Sequence, residues 1–290
     1  MVGEIVFPVG RLDLEGALSA SLELEQLPPA DLYTIDFAQL NWVEPFGMLY
    51  FARQLRAFGN RRKPARCRAI NHERHGYAAY MGFFQAFGLS FGNSSGQAPA
   101  TDRYIPLTEV LIRNLHIEAG QSSVDVREVI EGRARQMAAV LARSEGGHVH
   151  QTLSYSLREL LRNVVEHANA DHLWYCAQYW PNKAQVELAI VDHGCGILST
   201  LSRNPHLNIR TDEEALRLAL LPGVSGVAFK GARPRRTDEW ANSGYGLFMT
   251  SELCARGGSF MICSGSTAVL RKGNRERVLL TLPPKNVVLG

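Results

Sequence analysis

The sequence predicts an α/β protein assembled from two parts, on three observations. Residues 4–88 alternate strand-like apolar runs with helix-like ones. Residues 154–170 form an amphipathic helix, followed by two apolar strand-like runs, the second of which ends in a glycine turn. The chain has 290 residues, enough for two domains with separate cores.

Glu4 to Val9 reads as a strand, and a short helical pattern through Leu18, Leu22 and Leu24 ends at Pro28-Pro29. Leu32 to Phe37 is a buried strand. Pro45 opens a helix that Gly59 and the basic turn Asn60 to Lys63 close. Arg66 to Ile70 is a third strand, and ERHGYAAYMGFFQAFG is a second helix with aromatic residues along one side. Phe91 to Thr101, small and polar with a proline, reads as a linker, and YIPLTEVLI as a strand or part of the junction. Ser122 or Ser123 can cap a helix from Val124 to about Arg143, which EGGH ends. After the helix of residues 154–170 come the strands LWYCAQYW and QVELAIVD, joined through Pro181-Asn182-Lys183. The expected division is a first domain over 1–92, a linker over 93–121 and a second domain over 122–290.

Composition excludes several classes. A hydrophobic share of 46% and a charged share of 20% are those of a soluble globular protein. The net charge of +3 gives no reason to expect nucleic acid or an anionic membrane as partner. Five cysteines, an odd number without CxxC spacing, argue against a disulfide framework. Cys176, Cys195, Cys254 and Cys263 lie in or beside apolar runs and read as small buried groups in a reducing compartment. The start MVGEIVFPVGRLDLEG lacks the basic and apolar runs of a signal peptide, and no stretch approaches a membrane-spanning length. A cytoplasmic protein is expected.

Three short segments carry chemistry. On the helix of residues 154–170, Leu157, Leu160, Leu161, Val164, Val165 and Ala168 make an apolar stripe. Glu159, Asn163 and His167, four apart, make a polar line beside it. An acid, an amide and an imidazole in register can hold a metal-bound phosphate and a water; His167 alone reads better as a structural group. The second segment is Asp192-His193-Gly194-Cys195-Gly196, at a strand end. It is either a tight turn with an acidic first residue or a place where the backbone approaches a flat ligand and Asp192 accepts from an exocyclic amine. The third, Asn242-Ser243-Gly244-Tyr245-Gly246-Leu247, precedes the helix FMTSELCAR. It reads as a loop hinge or as amide donors at a helix N-terminus that favours a phosphate.

The order of these boxes, a helix with ExxxN, a strand ending DxGxG, a long polar stretch, GxGL opening a helix and then the strand SFMICSG, resembles the GHKL (histidine-kinase-like) ATPase superfamily over Ser122 to Pro283. The resemblance implies a two-layer α/β sandwich that binds ATP and Mg²⁺. It implies that Glu159 orients or deprotonates the attacking nucleophile and that Asn163 ligates Mg²⁺. It also implies that Asp192 reads the adenine amino group with Gly194 and Gly196 clearing room. Gly244 and Gly246 would place backbone amides on the phosphates, Tyr245 and Leu247 would belong to the same nucleotide-binding box, and Thr281 would lie near adenine. Leu198 to Ala241 would be the lid, with Lys230, Arg233, Arg235 and Arg236 as cations for the triphosphate and Lys230 foremost.

The first domain resembles the STAS family, the fold of anti-sigma-factor antagonists, through IDFAQLNWVEPFGMLYFARQL and YMGFFQAFGL. Members regulated by phosphorylation carry Ser or Thr where this chain has Glu44-Pro45-Phe46-Gly47, so a docking or sensing α/β sandwich with a protein partner is implied instead. The helix of residues 124–143 contains no histidine, which disfavours an autophosphorylating sensor kinase. Three readings stay open: an Mg-ATP-binding regulator with slow hydrolysis or phosphotransfer, an anti-sigma-type serine/threonine kinase acting on a separate partner, and a non-catalytic ATP-gated switch. A homodimer is compatible with each.

Overall fold

The computed structural model of the chain describes residues 2–99, 101, 103–226, 229–230 and 244–280. The architecture is mixed α/β. The described residues fall into two compact units, one within Met1–Glu109 and Trp174–Val191, the other within Val110–Leu173 and Asp192–Gly290. The sequence division at residue 122 assigns residues 174–191 to the second domain, whereas their contacts group them with the first unit. No helix among the described residues is long and apolar enough to cross a membrane.

The first unit begins with β1 (Val2–Pro8), α1 (Leu14–Glu25), β2 (Ala30–Asp36), α2 (Pro45–Arg61) and β3 (Arg66–Ile70). The three strands form a parallel sheet in the order β1-β2-β3, with Phe7, Ile35 and Ala69 in one row and Val6, Thr34 and Arg68 in the next. Phe7 and Ile35 are buried with Met48, Leu49, Phe51 and Phe58 of α2, the core that a strand-helix alternation exists to make. Pro45 starts α2 as expected, because its missing N–H is one that a first helical turn leaves unpaired anyway. Gly59 does not end that helix. It is accommodated within it, and the chain leaves helical geometry only at Arg62.

The expected aromatic helix is two short ones, α3 (Gly76–Tyr80) and α4 (Phe83–Ala86). Gly82, at φ +86°, breaks the run between them, a conformation open to glycine at little cost. Phe83 and Phe84 both meet Phe37 edge-on, at centroid distances of 6.0 and 5.3 Å. The segment around Ser95 is tied down: Asn93 N–H donates to Ala79 O, and Ser95 Oγ accepts from Glu109 N–H. β4 (Tyr104–Leu111) follows, and it shares a sheet in the order β4-β5-β6 with β5 (His172–Trp180) and β6 (Gln185–Asp192). Residues 93–121 therefore carry β4 and most of a helix, α5 (Ile112–Ser122).

In the second unit α6 (Val126–Ala142) packs against α7 (Gly147–Arg162). Asp125, not a serine, caps α6, its Oδ1 accepting from Arg127 N–H at 2.8 Å, because Ser122 and Ser123 are used to close α5. Two short helices, α8 (Gly196–Leu201) and α9 (Asp212–Ala219), precede α10 (Gly246–Gly257). A three-stranded antiparallel sheet closes the described chain: β7 (Ser259–Ser264), β8 (Thr267–Lys272) and β9 (Arg275–Leu280). Phe260, Ile262 and Val269 of this sheet bury Leu216 and Leu220, with Ile197 and Leu247 packed at the edge of the cluster. Thr211 and Glu214 form a reciprocal capping box on α9, which fixes where that helix starts.

Candidate functional site

The apolar stripe of α7 is the reason the polar line exists. Leu157, Leu160, Leu161 and Val164 are buried, which leaves Glu159 and Asn163 on a half-buried flank. The sequence implies one regular helix through residue 170, but Asn163–His167 is a π-helical turn. Ala168 N–H is shared between Asn163 O at 3.1 Å and Val164 O at 3.3 Å. A π-turn spaces residues more widely than the α-geometry that would set His167 in line with Glu159 and Asn163. His167 instead lies 4.0 Å from Glu166.

The widened turn also presents Ala168 to the DxGxG segment. Cys195 N–H donates to Ala168 O at 2.6 Å, and Ile197 N–H donates to Ser264 Oγ at 2.9 Å, so the segment is clamped between the end of the π-turn and β7. A Cβ at Gly194 would lie 2.2 Å from Ala168 O. The glycine is thus required by the protein's own packing, a reason the sequence does not reveal. Gly196 sits at φ +79°, where a side chain is strained.

Asp192 is 1% exposed. Its Oδ1 accepts from Gly194 N–H at 2.7 Å, while Oδ2 is buried without a hydrogen-bond partner among the described residues. Burial raises the Asp192 carboxyl to about 6, against the lowering effect of the Gly194 N–H. A buried acceptor left open is costly unless something donates to it. An exocyclic amine is a donor of the required kind.

The second glycine box meets the same helix. A Cβ at Gly246, the first residue of α10, would lie 2.8 Å from both Cβ and Oε2 of Glu159. Gly244, at φ +71°, would clash with Val224 O at 2.5 Å, and its own carbonyl accepts from Gly223 N–H at 3.1 Å. Leu247 packs into the sheet cluster, and Tyr245 is 45% exposed beside Gly223. Lys230 is exposed; its carbonyl accepts from His206 Nε2 at 2.9 Å. Thr281, Asn242, Ser243, Arg233, Arg235 and Arg236 lie outside the described residues.

Sequence reasoning missed an ion network on this helix. Arg158 Nη2 lies 3.1 Å and Arg162 Nη1 3.8 Å from Glu159 Oε1, while Arg162 and Arg127 both donate through Nε to Glu166 Oε1, at 3.0 and 3.1 Å. Its signal in the sequence is the i,i+3 and i,i+4 spacing of Glu159, Arg162 and Glu166. Among the described residues no group of three His, Cys, Asp or Glu side chains is gathered around a metal position. Asn163 carries a half-buried amide with no side-chain hydrogen bond among the described residues, a donor set that suits a hard cation keeping waters and phosphate oxygens. No family model matches this chain, nor does any curated protein or solved structure.

Proposed function

We propose that this chain is a cytoplasmic Mg-ATP-binding regulator of the GHKL type, with slow ATP hydrolysis or phosphotransfer in its second unit and a STAS-like docking or sensing module in its first. The observation that carries the reading is that both glycine boxes are packed on one helical segment, Gly246 on Glu159 and Gly194 on Ala168, with Asn163 between those two contacts in sequence. The five free cysteines fit a reducing compartment.

In this reading Asp192 Oδ2 accepts the adenine amino proton that its burial leaves it lacking. The first amides of α10 donate to phosphate oxygens at a helix N-terminus. Asn163 presents its amide oxygen to Mg²⁺. Bound Mg-ATP supplies the transferable phosphoryl group and the charge neutralisation that makes its transfer feasible. Glu159 orients the nucleophile's hydroxyl and takes its proton, held in position by Arg158 and Arg162. Measuring nucleotide affinity and turnover for the parent, Asn163→Ala and Glu159→Ala tests this. The expected pattern is lost Mg²⁺-dependent affinity in the first variant, and retained affinity with turnover reduced by about 10²-fold or more in the second. ATP affinity no better than that of an unrelated protein ends the proposal.

A further inference from the structure

We propose that a groove in the first unit, at the carboxyl ends of β2 and β3, binds a small planar anion, an aromatic ring bearing a carboxylate or phosphate. The ring would lie against Trp42 and Trp180 and the charge would be answered by Arg74 and Lys183. This does not rest on the nucleotide reading, which concerns other residues in the other unit.

The groove's position follows from topology. The groove lies beyond the carboxyl ends of β2 and β3, where the loops that follow them meet the end of β5. Here the loop after β2 and the loop after β3 line a cavity of about 470 Å³ with Gln178 and Trp180 of β5. That volume lies within the ~300–1,000 Å³ of small-molecule sites. Its aromatic residues are Trp42, Tyr77 and Trp180.

Trp42 and Tyr77 are held by hydrogen bonds, and all three aromatics keep surface open to solvent. Trp42 Nε1 donates to Glu44 Oε1 at 2.9 Å, and Tyr77 Oη donates to Gln178 Oε1. Trp42 and Trp180 are nonetheless half-buried and Tyr77 is 37% exposed. With its oxygen engaged by Tyr77, Gln178 has amide N–H groups without partners among the described residues. Such a wall is ordered before any ligand arrives, which lowers the entropic cost of binding.

Charge selects the ligand. Lys183 Nζ stands 4.8 Å from the Trp42 ring centroid and 5.9 Å from that of Trp180. Arg11 also approaches Trp42, at 5.9 Å, but is paired with Asp13 at 2.9 Å. Lys183 and Arg74 are exposed and have no carboxylate partner among the described residues. Glu44 accepts from the Trp42 indole N–H and is not among the residues that line the groove. A cationic ligand would meet two unpaired cations. An anion with a flat ring uses the indoles, the cations and the Gln178 donors together.

The test uses the full chain carrying ¹⁵N-tryptophan, titrated with 2-naphthoate or adenosine 5′-monophosphate. Neutral 2-naphthalenemethanol and non-planar cyclohexanecarboxylate serve as controls. The indole signals of Trp42 and Trp180 should shift along one saturating curve, while that of Trp174, 2% exposed, stays still. Whichever anion saturates identifies the preferred charged group. The controls should bind about tenfold more weakly or worse, and Arg74→Gln with Lys183→Gln should weaken the preferred anion about tenfold at an unchanged melting temperature. Three outcomes each overturn the proposal: saturation by neither anion, equal affinity for the neutral alcohol, or undiminished affinity in a folded double variant.

Discussion

Gly246 has no space for a side chain because Glu159 occupies it, with Cβ and Oε2 both 2.8 Å from where a Cβ would stand. Oε2 can rotate away, but Cβ is fixed to the Glu159 backbone, so the added methyl also has to push α10 away from α7. Gly246→Ala is expected to lose about 1–2 kcal/mol of stability through this overpacking. Its ATP turnover should fall by about 10²-fold, the cost of misplacing a reacting group by roughly an ångström. A turnover assay beside a thermal melt checks both.

At Gly194 the obstacle is closer and includes backbone, so the cost is larger. Ala168 O and C lie 2.2 and 2.7 Å from the absent Cβ, and neither can rotate away. Gly194→Ala should therefore lose about 3 kcal/mol of stability through overpacking. Urea unfolding followed by circular dichroism reads the difference.

Much of the fold was legible because its signals are local. Pro45, the apolar runs of β1 to β3 and the periodicity of Leu157, Leu160, Leu161 and Val164 each act within a few residues. What was hidden depends on partners distant in sequence. Nothing near Gly194 announces Ala168, nothing near Gly246 announces Glu159, and the π-turn at Asn163–His167 arises where Ala168 must meet Cys195. β4 was ambiguous because its strand character is decided by its pairing beside β5.

Asp192 gives a pH signature. Burial raises its carboxyl from 3.8 to about 6 in the folded protein, so the stabilising effect of its protonated form is complete below 3.8 and is lost as pH rises through about 6. Asp192→Asn should gain stability relative to the parent between pH 4 and pH 8, by at most about 3 kcal/mol. Nucleotide affinity should run the other way in the parent, falling as pH drops below about 6, because a protonated Oδ2 no longer accepts. Melts and binding isotherms across that range separate the two effects.

Arg162, with its side chain 8% exposed, pairs with Glu166 and approaches Glu159. Arg162→Met removes one cation from two partly buried carboxylates that keep Arg158 and Arg127, and is expected to destabilise the protein by about 2 kcal/mol. Arg158→Met, at a more exposed guanidinium, should cost well under 1 kcal/mol. Chemical denaturation of the two variants in parallel tests the ranking.

The central claim is that Glu159, Asn163, Asp192 and the two glycine boxes surround one adenine nucleotide. A crystal structure of the full chain with Mg²⁺ and a non-hydrolysable ATP analogue tests it most directly. The account predicts the adenine amino group on Asp192 Oδ2, the metal on the Asn163 amide oxygen and phosphate oxygens at the start of α10. A nucleotide bound elsewhere, or a cleft that remains empty at saturating analogue, would contradict it.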